Sequence, residues 1–77
     1  MDTELLKRIT INPGIFNGKP IIRGMRFAVT DVLELLSSEM TPEEIINDFP
    51  FLEKEDIKAS LLYASLRLKN TIIINAA

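Results

Sequence analysis

The stretch TPEEIINDFP, residues 41–50, marks both ends of a short helix. Thr41 is an N-cap, Pro42 suits the first helical position, and Glu44 stands where its carboxylate reaches back to close a capping box. Pro50 biases Phe49 away from the helical region, so the helix stops there. Ile45, Ile46 and Phe49 form its core side.

The flanking segments are helical as well. In residues 29–40, Val29, Val32, Leu33, Leu36 and Met40 follow the spacing of one apolar face, and Asp31 near the start suits the helix macrodipole. Residues 53–70 read as the longest helix, with Glu53, Glu55 and Asp56 at its start and Arg67 and Lys69 at its end. Upstream, RITINP alternates apolar Ile9 and Ile11 about Thr10 and then breaks at Asn12-Pro13-Gly14, which predicts a short strand and a turn. GKPIIRGMRFAV gives two short extended pieces around Arg23-Gly24, and Pro20 holds the first at an edge or at its beginning.

Seventy-seven residues allow one domain, spanning 1–77, with a folded body over 8–69 and an apolar tail over 70–77. A core this small raises the expectation of self-association. The chain has no cysteine and no histidine, which removes disulfides, thiolate sites, structural zinc and His-based acid–base schemes. The N-terminal residues do not form a signal peptide, because charges interrupt any apolar run. No stretch approaches the roughly 20 apolar residues of a membrane span, and a cytoplasmic location is expected. The net charge of −2 conceals segregation. Lys7, Arg8, Lys19, Arg23 and Arg26 outnumber Asp2 and Glu4 in residues 1–26, nine acids face only Lys54 in 27–56, and 57–77 carry Lys58, Arg67 and Lys69 with no acid. Such polarity suggests a partner-facing surface.

The third helix is apolar on two faces. Ile57, Leu61, Ala64 and Leu68 fall together and are assigned to the core, whereas Ala59, Leu62, Tyr63 and Leu66 lie on the other side. Either a partner or second copy buries the second face, or the N-terminal hairpin covers it. The run Ile72, Ile73 and Ile74 favours an extended conformation and would add to such an interface by strand addition.

The sequence offers little for catalysis. Glu43-Glu44 and Glu55-Asp56 sit in first helical turns, where capping and dipole effects account for them. GKPIIRG lacks the spacing of a P-loop, so Gly18 and Gly24 read as turn residues. Lys19, Arg23 and Arg26 remain open between two readings, contact with phosphate or a partner's carboxylates, and solvated surface. The second and third helices could form a helix-turn-helix, but Glu53, Glu55 and Asp56 would oppose DNA phosphates at the reading end. Any DNA contact would use Lys7, Arg8, Lys19, Arg23 and Arg26.

RITINPGIFNGKPIIRGMRFAVTDVLELL followed by MTPEEIINDFPFLEKEDIKASLLYA resembles the domain-of-unknown-function 433 family over about residues 8–64. Ile9-Thr10-Ile11 with Pro13, Gly18-Lys19-Pro20, Arg23-Gly24, Arg26, Glu43-Glu44-Ile45, Phe49-Pro50 and Asp56-Ile57 carry the resemblance in order. It implies a mainly α, three-helix, homeodomain-like helix-turn-helix fold with a short N-terminal β-hairpin. It also implies the antitoxin of a type II toxin–antitoxin pair, whose neighbour resembles a PIN-domain ribonuclease with an acidic, metal-binding site. Lys19, Arg23 and Arg26 become interface candidates against such acids. Met25, Glu39 and Glu53 depart from the family's frequent threonine, glycine and Ser/Thr. The expected function is a non-catalytic, dimeric, cofactor-free antitoxin-like protein that neutralises a toxin partner. The alternative is a DNA-binding transcriptional regulator. No membrane or small-molecule partner is expected.

Overall fold

The computed structural model describes residues 3–69. Among these residues four α-helices and one two-stranded sheet are arranged in the order α1 (Thr3–Leu6), β1 (Ile9–Thr10), β2 (Ile21–Ile22), α2 (Val29–Ser37), α3 (Pro42–Asp48) and α4 (Lys54–Lys69). The expected mainly helical class with a short N-terminal hairpin is the observed one. The four-residue α1 was not legible in the sequence, and it packs against α4.

Strands β1 and β2 pair antiparallel, Ile9 opposite Ile22 and Thr10 opposite Ile21. Two strands of two residues are marginal alone, and the sheet is fastened by the turn after β2 and by the start of α2. The chain reverses after Ile22 through Arg23 and Gly24, both at positive φ (43° and 72°), and the Met25 N–H donates to the Ile22 carbonyl at 2.8 Å. Positive φ at both central residues is the primed geometry that matches strand twist. The Gly24 N–H also donates to Thr10 Oγ1 at 2.9 Å, locking the turn to β1. The Ile22 N–H then donates to the Phe27 carbonyl and the Val29 N–H to the Pro20 carbonyl, so the hairpin leads directly into α2.

The N-cap of α2 is Ala28, which has no side-chain acceptor; Asp31 compensates by accepting the Ala28 N–H at 2.8 Å. The Glu39 N–H donates to the Leu36 carbonyl and the Met40 N–H to the Leu35 carbonyl. These two bonds form a Schellman closure with Glu39 at φ 68° in the position glycine prefers. Helix α3 has the expected capping box: Thr41 Oγ1 accepts the Glu44 N–H at 3.1 Å, and Glu44 Oε1 accepts the Thr41 N–H at 2.8 Å. Phe49 is its C-cap, in a non-helical conformation.

Ile22, Val29, Val32, Ile45, Leu52 and Ile57 form the central core, one or two from each main segment. Helix α4 enters that core by a face the apolar pattern does not reveal. Its fully buried or nearly buried residues are Asp56, Ile57, Ala59 and Ser60, and Tyr63 packs against the same cluster. Leu61 and Leu68, assigned to the core from their spacing, are 49% and 59% exposed. The reason is physical: the inward face is centred on Asp56 and Ser60, and periodicity places such polar residues outside. Ala59 and Tyr63, assigned to a partner surface, are used within the chain.

Candidate functional site

The two sides of α4 need separate accounts. On the inner side, Asp56 is fully buried, and its carboxylate accepts four hydrogen bonds. Arg23 Nε and Arg8 Nη1 donate to Oδ1, each at 3.0 Å, and Arg23 Nη2 and the Glu53 N–H donate to Oδ2, each at 2.8 Å. An ionised carboxylate has about four acceptor sites, so this one is saturated. Burial alone would push its pKa up, but the bonds from Arg23, the Glu53 backbone and Arg8 outweigh it and hold the group below its ordinary value. Arg23 also donates to the Phe51 carbonyl at 2.8 Å, and Arg8 bridges to Glu53 at 2.6 Å. The pair of arginines therefore ties β1 and the turn after β2 to the start of α4.

This geometry alters the reading of the hairpin cations. Arg23, expected to face a partner, is turned inward by the bidentate fit between guanidinium and carboxylate. Lys19 and Arg26 are exposed and form no ion pair among the described residues. Lys19 borders a shallow recess with Phe16, Ala28, Thr30 and Asp31.

On the outer side of α4, Lys54, Lys58, Leu61, Ser65, Leu68 and Lys69 are all exposed. A recess of about 290 Å³ opens there between Pro42, Ile57 and Leu61, with Lys54, Lys58 and Glu43 around it. Leu62, Tyr63 and Leu66 are half-buried at the flank, and Ala59 is fully buried. Ile72, Ile73 and Ile74 lie outside the described residues. Among the described residues no group of His, Cys, Asp or Glu is placed to hold a metal ion, and no helix is long and apolar enough to cross a membrane.

The hairpin, its turn, helices α2 and α3 and most of α4 fall within one matched segment. Residues 9–64 match the model of a protein family of unknown function, DUF433. The chain is a member of the DUF433 family. A relative of this DUF433 chain is the uncharacterized protein y4eO of Sinorhizobium fredii (strain NBRC 101917 / NGR234), 32% identical over 56 residues. The match covers 73% of this chain and 25% of the relative, so the chain spans about a quarter of that protein's length. No solved structure matches the DUF433 chain significantly.

Arg8, Arg23 and Asp56 together latch the hairpin to α4, yet in the sequence they read separately, Arg23 as a partner contact and Asp56 as a dipole-stabilising charge. The signal that links them is charge arithmetic: a saturated acid requires cations, and the basic segment 1–26 precedes the acidic one.

Proposed function

We propose that this DUF433 protein is a non-catalytic, antitoxin-like protein that self-associates and binds and neutralises a toxin resembling a PIN-domain ribonuclease. The observation that supports this most is the outer face of α4, where Leu61 and Leu68 stay exposed on a helix whose opposite face is already packed. Two exposed leucines two turns apart on a packed helix suit association. Lys19 and Arg26 supply a second, cationic contact suited to an acidic site. Affinity capture from native lysate, with an assay of any captured protein for metal-dependent cleavage of RNA, tests the reading. The expected result is a small acidic ribonuclease whose activity falls when the chain is added back and recovers with the L61D/L68D variant. Capture of no second protein, or a nuclease equally active with and without the chain, overturns it.

The alternative, DNA binding, gains from one observation. Two of the acids that oppose phosphate at the start of α4 are engaged internally, Asp56 by Arg8 and Arg23, and Glu53 by Arg8. Lys54 and Lys58 then stand on the outer face, with Glu55 as the acid of that turn outside this network. Salt separates the readings: DNA affinity would drop steeply with ionic strength, whereas a contact built on Leu61 and Leu68 would not.

A further inference from the structure

A second surface, away from the outer face of α4, has the opposite charge. Phe27, Phe49 and Phe51 form a three-ring cluster with centroid separations of 5.1, 5.5 and 6.1 Å, all tilted or edge-to-face. The cluster is incompletely covered: Phe27 and Phe49 are half-buried and Phe51 is 47% exposed. Beside it runs one face of α2. Asp31, Glu34, Leu35 and Ser38, together with Phe27 and Phe49, line an open recess of about 250 Å³. The lining brings together two carboxylates, two aromatic rings and a leucine, and none of the lining residues is a cation.

We propose that this recess is a docking site for an arginine side chain presented by a basic segment of a partner protein. Three features select that occupant. The volume lies below the roughly 300 Å³ from which small-molecule pockets usually start, so it suits a single side chain. The two acids lie three residues apart on α2 and so project from neighbouring positions of one helical face, where a forked donor can meet both. Aromatic rings line the recess, and a planar guanidinium packs against such rings more effectively than an ammonium does. Asp31 keeps its role at the start of α2 through Oδ2, which accepts the Ala28 N–H and leaves Oδ1 for the guest. The same acids make the recess unsuitable for nucleic acid and for an anionic lipid surface; Asp31 also borders the recess beside Lys19, whereas Glu34 lines this one alone.

The test uses the full chain and a fluorescein-labelled, amidated peptide Ala-Leu-Arg-Leu-Ala at low ionic strength. Anisotropy titration should give saturable binding, and ¹H–¹⁵N spectra should place the shifts at Phe27, Asp31, Glu34, Leu35, Ser38 and Phe49. Replacing the arginine by citrulline, which keeps the shape and removes the charge, should weaken binding about tenfold, the effect of losing one charge-assisted contact. Glu34 is exposed, so E34Q should fold unchanged and weaken binding several-fold, while L61A on the far helix should leave it unaltered. Equal binding of the citrulline peptide, or shifts confined to the hairpin or to α4, would overturn the proposal. So would groove resonances that move with protein concentration alone, which would make a second copy of the chain the occupant.

Discussion

Glu39 shows how one residue departs from the local optimum of its fold. It occupies the left-handed position of the closure after α2, at φ 68°, where a Cβ costs about 1 kcal/mol relative to glycine. E39G should therefore raise stability by about 1 kcal/mol, which for a domain of this size means a melting temperature roughly 4–8 °C higher. Calorimetry of the two chains reads this directly. Arg23 is at φ 43°, yet the same relief is not available there, because its side chain holds Asp56. R23A should lose about 2–3 kcal/mol, discounted from the roughly 3–5 kcal/mol of a fully buried broken pair because the arginine side chain is 35% exposed. R23G removes the same ion pair while relaxing the backbone, so it should lose about 1 kcal/mol less than R23A. If the two variants unfold at the same denaturant concentration, the backbone at Arg23 is not strained.

Between elements, the controlling contact is the one that joins the hairpin to α4, and it is sensitive to acid. The pKa of Asp56 is held below its unfolded value of 3.8, so the folded chain binds the proton less readily than the unfolded one. The stability this contributes is fully present above 3.8 and is lost as pH falls through the depressed folded-state value. D56N should be less stable than the parent near neutrality and show a flatter stability profile across that acid range. Urea melts of both chains from pH 6 downwards would reveal it, and parallel profiles would refute the assignment. The elements themselves were readable to different degrees. The capping box of α3 was fully legible because Thr41, Pro42 and Glu44 act on one another within four positions. The inner face of α4 was not, because what makes Asp56 an interior residue lies 33 and 48 positions upstream, at Arg23 and Arg8. Local pattern cannot carry that information. It survives only as the complementarity of a basic segment and an acidic one, and helix α1 left no pattern at all in its four residues.

At the scale of the molecule, the charge segregation seen along the chain has been partly used up within it. Arg8 and Arg23 neutralise acids of the middle segment, while Lys19, Arg26 and the lysines of α4 face outward. Two exposed surfaces of different character result, one leucine- and lysine-bearing on α4, one aromatic and acidic beside α2. Charge reversal by K19E/R26E and apolar disruption by L61D/L68D should consequently separate: the first should make partner capture weaker and less salt-dependent, the second should weaken it at every ionic strength. Indistinguishable variants would mean that the hairpin and α4 do not contribute separately to one contact. The latch at Asp56 carries a further consequence for how the chain comes into being. During synthesis both arginines leave the ribosome well before their common acid, and at about 5–20 residues per second the nascent hairpin waits several seconds for it. Through that interval the two short strands lack their link to α4, so the hairpin is more open to proteases until the first turn of α4 arrives to close it.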